Sequence, residues 1–211
     1  MNSKELARKK TEDKIVRTAL RLMAVQGVDA VSMNEIVKAA GQGNASAINY
    51  YFGNKAGLLQ AIFDRHRPAI QTRRQEMIES LESEPTIEQI AEALVLPVIA
   101  ELDNPDGGME YLQMLAKLER HELNPAEAVD GRRYQAMADL GDLLSNRFDH
   151  LSARDFELRF RAIRNLVIHG LADYSSVVKD SPKEDKKSRP IFTNIMINSI
   201  VSILSQAGLE K

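Results

Sequence analysis

Gly41 to Lys55 reads GQGNASAINYYFGNK, a run that gathers spaced glycines, amide side chains, two tyrosines and a lysine. Two chemistries use such a run. A Gly-x-Gly-x-x-Gly loop cradles a dinucleotide pyrophosphate on backbone N–H groups, whereas a glycine-containing turn before a short polar helix aims that helix into a groove of DNA. The nucleotide reading needs a third glycine where Ser46 stands, a strand before the loop and an acidic residue about 20 positions further on. The segment before Gly41 has a helical pattern, and no strand-helix-strand unit follows. Gly53-Asn54-Lys55 has no glycine five residues before Gly53 and no Ser or Thr after the lysine, so a phosphate-binding P-loop is excluded too. No cofactor is expected.

The groove-reading alternative suits the residues present. Gln42, Asn44, Ser46 and Asn49 can hydrogen-bond base edges or phosphates, and Tyr50 and Tyr51 can reach phosphate oxygens while their rings pack. Lys55 opens the next helix, where its charge and free amides suit a further phosphate. Gly43 and Ala45 in the turn, and Ser32 at the start of the preceding helix, complete the candidate set.

Other reactive groups make no comparable grouping. His66, His121, His150 and His169 form no close ligand pair, and the chain has no cysteine, so neither a metal site nor a thiol nucleophile is expected. His169 lies in the apolar run from Leu166 to Leu171 and is read as a core or interface histidine; His121, beside Glu122, is read as a partner of a helix dipole. No Ser-His-Asp triad follows from spacing, and no catalytic residue is assigned. The face Met109, Tyr111, Met114 and Leu115 is read as core packing, with the lining of a small-molecule cavity as the alternative.

The elements that position the run are helical throughout. Thr11 to Gln26 puts Ile15, Ala19, Leu22 and Met23 at helical spacing before Gly27. Ser32-Met-Asn-Glu35 is a capping-box pattern that starts a second helix ending near Ala40. Ser46 to Phe52 makes a third, and Asn54 caps a fourth through Leu58, Leu59, Ile62 and Phe63. Further on, Thr86 to Leu102 reads as a helix with a kink at Pro97, Asn104 to Gly108 as a loop, and Met109 to Leu123 as a helix. Asn124-Pro125 opens another, and Ser152 caps one that reaches about Val178. KDSPKEDKKS, residues 179–188, reads as a polar loop, with Ser188 capping a last helix that carries Ile191, Phe192, Ile195, Met196 and Ile200. The fold class is all-α, about nine helices in two unequal units, residues 1–67 and 68–211, with the recognition helix at about 46–52 and the helix of 54–67 as the link.

Composition narrows the partners. The net charge of −2 hides a division: residues 1–67 carry eleven Lys and Arg against six Asp and Glu, and residues 68–211 carry seventeen against twenty-four. A basic head suits a polyanion, because cations placed on phosphates release counterions. The longest apolar run, Ala93 to Ala100, is far below the roughly 20 residues a bilayer needs, and no apolar core follows the N-terminal lysines as a signal peptide requires. A cytoplasmic protein is expected.

Residues 11–63 resemble the N-terminal DNA-binding domain of the TetR family of transcriptional regulators, through Gly27, Ser32, Ala40-Gly41, Ile48-Asn49-Tyr50-Tyr51-Phe52, Gly53-Asn54-Lys55 and Leu58-Leu59. The turn after Gly41 is one residue longer than the family pattern, so which of Gly43, Asn44 and Ala45 faces bases stays open. Asn49 stands where the family often has Tyr, and Tyr51 where it often has His. The resemblance implies a non-enzymatic, ligand-responsive repressor that binds a palindromic operator in double-stranded DNA. It also implies a homodimer through helices at about 153–178 and 189–206, and a small-molecule effector held by residues 68–211 that shifts the fourth helix near Pro68. The alternatives are an all-helical ligand-binding protein or enzyme with a vestigial head, and a structural partner protein.

Overall fold

The computed structural model describes residues 2–42, 46–118, 140–141, 143–144, 147–148 and 151–206. Among them it holds eight α-helices and a 3-10 turn, Ala100–Asp103, and no strand. The helices are α1 (Ser3–Gln26), α2 (Met33–Ala39), α3 (Ser46–Phe52), α4 (Lys55–Glu79), α5 (Ile87–Ile99), α6 (Gly108–Leu118), α7 (Ala153–Val178) and α8 (Pro182–Ser205). The chain divides into two compact units, one drawn from Met1–Arg67 and Asp103–Asp130, the other from Pro68–Leu102 and Gly131–Lys211.

In the first unit, α1 supplies the central stripe. Ile15, Ala19, Leu20 and Met23 recur at helical spacing and are at most 1% exposed, as are Ile36 of α2 and Leu58, Ile62 and Phe63 of α4. Two helices of seven residues are far too short to persist alone; this shared burial holds α2, and α3 packs on α2. Helix α6 packs along α1. Its Tyr111 is buried, edge-on to Phe63 at 6.4 Å and stacked on His66 at 4.3 Å between ring centroids. Met114 is fully buried, so the core reading of this face holds for both residues.

Several boundaries differ from the sequence reading. Helix α1 begins at Ser3 rather than Thr11, because Asn2 caps it through Oδ1 to Lys4 N–H at 3.4 Å and nothing in 3–10 breaks a helix. The capping box of α2 is half made: Ser32 Oγ accepts Glu35 N–H at 3.1 Å, but the Glu35 carboxylate takes Gln26 Nε2 at 2.7 Å. Helix α4 does not stop at residue 67 but continues through Pro68 to Glu79. Pro97 likewise sits inside α5, which Thr86 and Gln89 start with a complete capping box.

The second unit packs α5 on α8 and α7 on α8. Its largest departure lies at residues 179–188, where the sequence predicts a polar loop and the structure has the first two turns of α8. Pro182 occupies the first turn, where its absent N–H costs nothing. Beyond it Tyr174 of α7 donates to Asp185 Oδ1 at 2.8 Å, lies 3.0 Å from Ser188 Oγ and stacks on Phe192 at 4.2 Å. Arg189 closes on the Asp185 carboxylate one turn below, with Nε to Oδ1 at 3.0 Å. Ser188 is no N-cap; its hydroxyl donates to Glu184 O at 2.7 Å. The polar residues thus make a helical face docked on α7. At the far end Arg159 of α7 closes α8 by donating to the carbonyls of Ile203, Leu204 and Gln206.

Two consequences are measurable. A Cβ on Gly57 would lie 1.9 Å from the Phe52 carbonyl oxygen, so Gly57→Ala must displace the α3–α4 junction; urea unfolding should show a loss of about 1–3 kcal/mol, the usual range for overpacking. Burial opposes the Asp185 charge, yet hydrogen bonds from Arg189 and Tyr174 outweigh it and hold the carboxyl below its ordinary 3.8. A depressed carboxyl pKa stabilises the fold above the unfolded value and ceases to as pH falls through the folded one. Asp185→Asn should therefore cost roughly 1.5–3 kcal/mol at pH 7, and the difference from the parent should shrink in denaturant titrations at pH 3 and below.

Candidate nucleic-acid interface

The interface is assembled around α3. Ser32 caps α2, and Ile36 and Val37 bury its inner face. After Ala39 the chain turns at Gly41, whose φ of 66° lies in the left-handed region that favours glycine. Gln42 is held by its backbone N–H to Val37 O at 3.0 Å and its side chain is half-buried. Gly43, Asn44 and Ala45 lie outside the described residues, and Ser46 is described only as the first residue of α3. Gly53, with φ 73°, ends α3, and Asn54 Oδ1 accepts Gly57 N–H at 2.9 Å to start α4.

Lys55 has two uses for its ammonium. It donates to Val31 O at 2.7 Å and to Asp29 O at 3.4 Å, tying the α1–α2 loop to the start of α4. Both acceptors are neutral, so its positive charge remains, at the first turn of a 25-residue helix whose amides carry partial positive charge.

The outer face of α3 is polar and open. Asn49 is exposed and Tyr50 is 71% exposed, while Tyr51 is half-buried. The two tyrosine rings stand edge-on at 5.1 Å, and Tyr51 touches Phe52 at 6.1 Å. Arg8 of α1 approaches both, its guanidinium carbon 5.7 Å from the Tyr50 ring and 6.0 Å from that of Tyr51. A cation over two aromatic faces restrains their rotamers and leaves guanidinium edges for a phosphate. Sequence reading expects the lysines and arginines of the first seventeen residues along DNA but does not set Arg8 on the tyrosines, because only a helix that starts at Ser3 carries it there.

Charge is sorted across this unit. Arg17 pairs with Asp106 and Arg65 with Asp13, so those cations serve the fold. Lys4, Arg8, Lys9, Lys10 and Lys14 are exposed along α1. Amides and phenols on α3 beside a row of ammonium and guanidinium groups can contact base edges from the first and backbone phosphates from the second.

The remaining candidates lie elsewhere. His66 is buried, stacked on Tyr111 with Asn104 Nδ2 at 3.4 Å from Nδ1. His169 is half-buried on α7. His121 and His150 fall outside the described residues. Among the described residues no three His, Asp or Glu side chains gather as for a metal, and no helix is long and apolar enough to cross a membrane.

Residues 15–62 match the profile of the bacterial regulatory proteins of the tetR family. No curated protein matches the chain. Among solved structures, a HlyIIR mutant with an internal segment replaced by a Gly-Ser linker aligns at 16% identity and a TM-score of 0.53, covering 95% of this chain and 98% of that one. A second HlyIIR mutant, with a linker containing two thrombin sites, aligns at 16% and 0.52 over 95% and 100% of the two chains. RolR, solved without ligand, aligns at 20% and 0.44 over 93% and 98%. The HlyIIR likeness shows the shared helical fold. The matched segment holds the whole helix-turn-helix and the polar face of α3, and in this segment the chain is similar to the bacterial regulatory proteins of the tetR family.

Proposed function

We propose that the protein is a cytoplasmic, homodimeric, ligand-responsive repressor, without enzymatic activity, that reads a palindromic operator through α3. The observation that carries this reading is the outward face of α3: Asn49 and Tyr50 exposed, with Arg8 at 5.7 and 6.0 Å from the paired tyrosines. In this reading Gln42, Asn44, Ser46 and Asn49 meet base edges, with Gly43 and Ala45 letting the turn approach the groove. Tyr50, Tyr51 and Lys55 hold phosphates, and Ser32 supports the cap beside the backbone.

Dimerisation follows from specificity. A seven-residue helix spans too few base pairs to select one site in a genome, whereas two copies about one helical turn apart read a palindrome. Leu158 on α7 and Ile191 and Ile195 on α8 are 51%, 60% and 58% exposed, and the last two stand one turn apart on one helix. Such a stripe suits a bundle with its copy. The effector acts by favouring one head spacing, with Pro68 inside α4 as the proposed point of transmission; a coupling of about 1–3 kcal/mol changes operator affinity some 5–150-fold.

Gel retardation with DNA from the protein's own upstream region, at stated salt, tests the reading. Tyr51→Ala, Lys55→Ala and Arg8→Gln should weaken retention on all sequences, with the Arg8 and Lys55 changes reducing the salt slope by about 1, while Asn49→Ala or Gln42→Ala should change sequence preference. Salt-independent or absent retention by the unmodified protein sinks the proposal. In sedimentation equilibrium the chain should be a dimer, and Ile191→Glu with Ile195→Glu should yield folded monomers that lose at least tenfold in operator affinity.

A further inference from the structure

Within the second unit, α4, α5 and α7 enclose a cleft of about 210 Å³, walled by Leu94, Val98, Phe160, Ile163, Val167 and Arg74. All but the last are apolar. Arg74 is 4% exposed and donates Nε to Ala93 O and Nη2 to Leu94 O, each at 3.1 Å. Both acceptors are neutral carbonyls, and among the described residues no carboxylate faces it. Burial lowers its pKa to about 10, so it stays a cation at neutral pH. A buried charge without a counter-ion is expensive. Arg164 stands on the same wall.

We propose that this cleft binds a small carboxylate with an apolar body of about one ring, a benzoate-class monoanion, whose carboxylate neutralises Arg74. Size and sign both select this class. An apolar cavity of about 150 Å³ accepts benzene, and the further volume here, roughly two waters at about 30 Å³ each, leaves room for one carboxylate. A cationic compound meets two guanidiniums, and a neutral one leaves Arg74 uncompensated. The apolar walls exclude water, which strengthens the attraction between carboxylate and guanidinium. The inference rests on the ligand-responsive reading only for its consequence on DNA.

The test is calorimetric titration of the full chain with benzoate, its neutral isostere benzamide, and acetate. Benzoate should bind at least tenfold more tightly than benzamide, with acetate weaker than either. Arg74→Met should weaken benzoate about 10- to 100-fold, the worth of charge-assisted hydrogen bonds, and leave benzamide unchanged. Val98→Phe, which fills the half-exposed mouth and keeps the charge, should abolish both; it carries the test if Arg74→Met does not fold. Equal affinity for benzoate and benzamide, or no binding by the unmodified chain, overturns the proposal. Benzoate uptake seen only in the monomeric Ile191→Glu, Ile195→Glu double variant means that a second copy fills the cleft, and overturns it too. Failure to bind benzoate while operator retention persists removes the cleft's assignment alone. Benzoate binding that leaves operator retention unchanged supports the cleft and removes the ligand-responsive part of the proposed function.

Discussion

Everything in the first unit depends on one stripe of buried aliphatic side chains. Helices α2 and α3 have seven residues each, and a helix of two turns in water cannot recover the entropy of its own nucleation. Ile15, Ala19, Leu20 and Met23 of α1 supply the missing free energy by burying against Ile36, Leu58 and Ile62. Helix α3 packs on α2, so its presentation depends on the core that holds α2. A polar reading surface made of loop alone would have no such anchor.

The cations of this unit divide their work according to their partners. Arg17 and Arg65 are matched by carboxylates and add to the fold. Lys55 is matched only by carbonyls, so it ties the α1–α2 loop in place and still contributes positive potential at the start of α4. Arg8 lies against the tyrosine rings, where a guanidinium is attracted by the ring face without losing its charge. Structural and electrostatic duties thus fall on different lysines and arginines of the same short segment.

The second unit shows charge buried on two terms. Around Tyr174 and Arg189 the Asp185 carboxylate is fully provided with donors, and burial strengthens those bonds. That cluster docks the polar start of α8 on α7 and turns seven residues of apparent loop chemistry, 182–188, into helix. Arg74 is different, since its hydrogen bonds are satisfied at two nitrogens while its charge is not. A site with satisfied geometry and unsatisfied charge is the kind a ligand completes.

By itself the sequence determined the helical class, the head with its turn and short polar helix, and the caps at Ser32, Asn54 and Ser152, because apolar periodicity and capping act within a few residues along the chain. It also took Asn49 as exposed and gave Tyr50 and Tyr51 a reach to phosphates, from the polar chemistry of the short helix. Only the tertiary structure decided that α1 reaches back to Ser3 and lays Arg8 on the tyrosines, that α8 begins at Pro182, and that Arg74 meets no counter-ion among the described residues. Each of these turns on partners far away in sequence or on a net balance of burial against charge, and spacing along the chain carries neither.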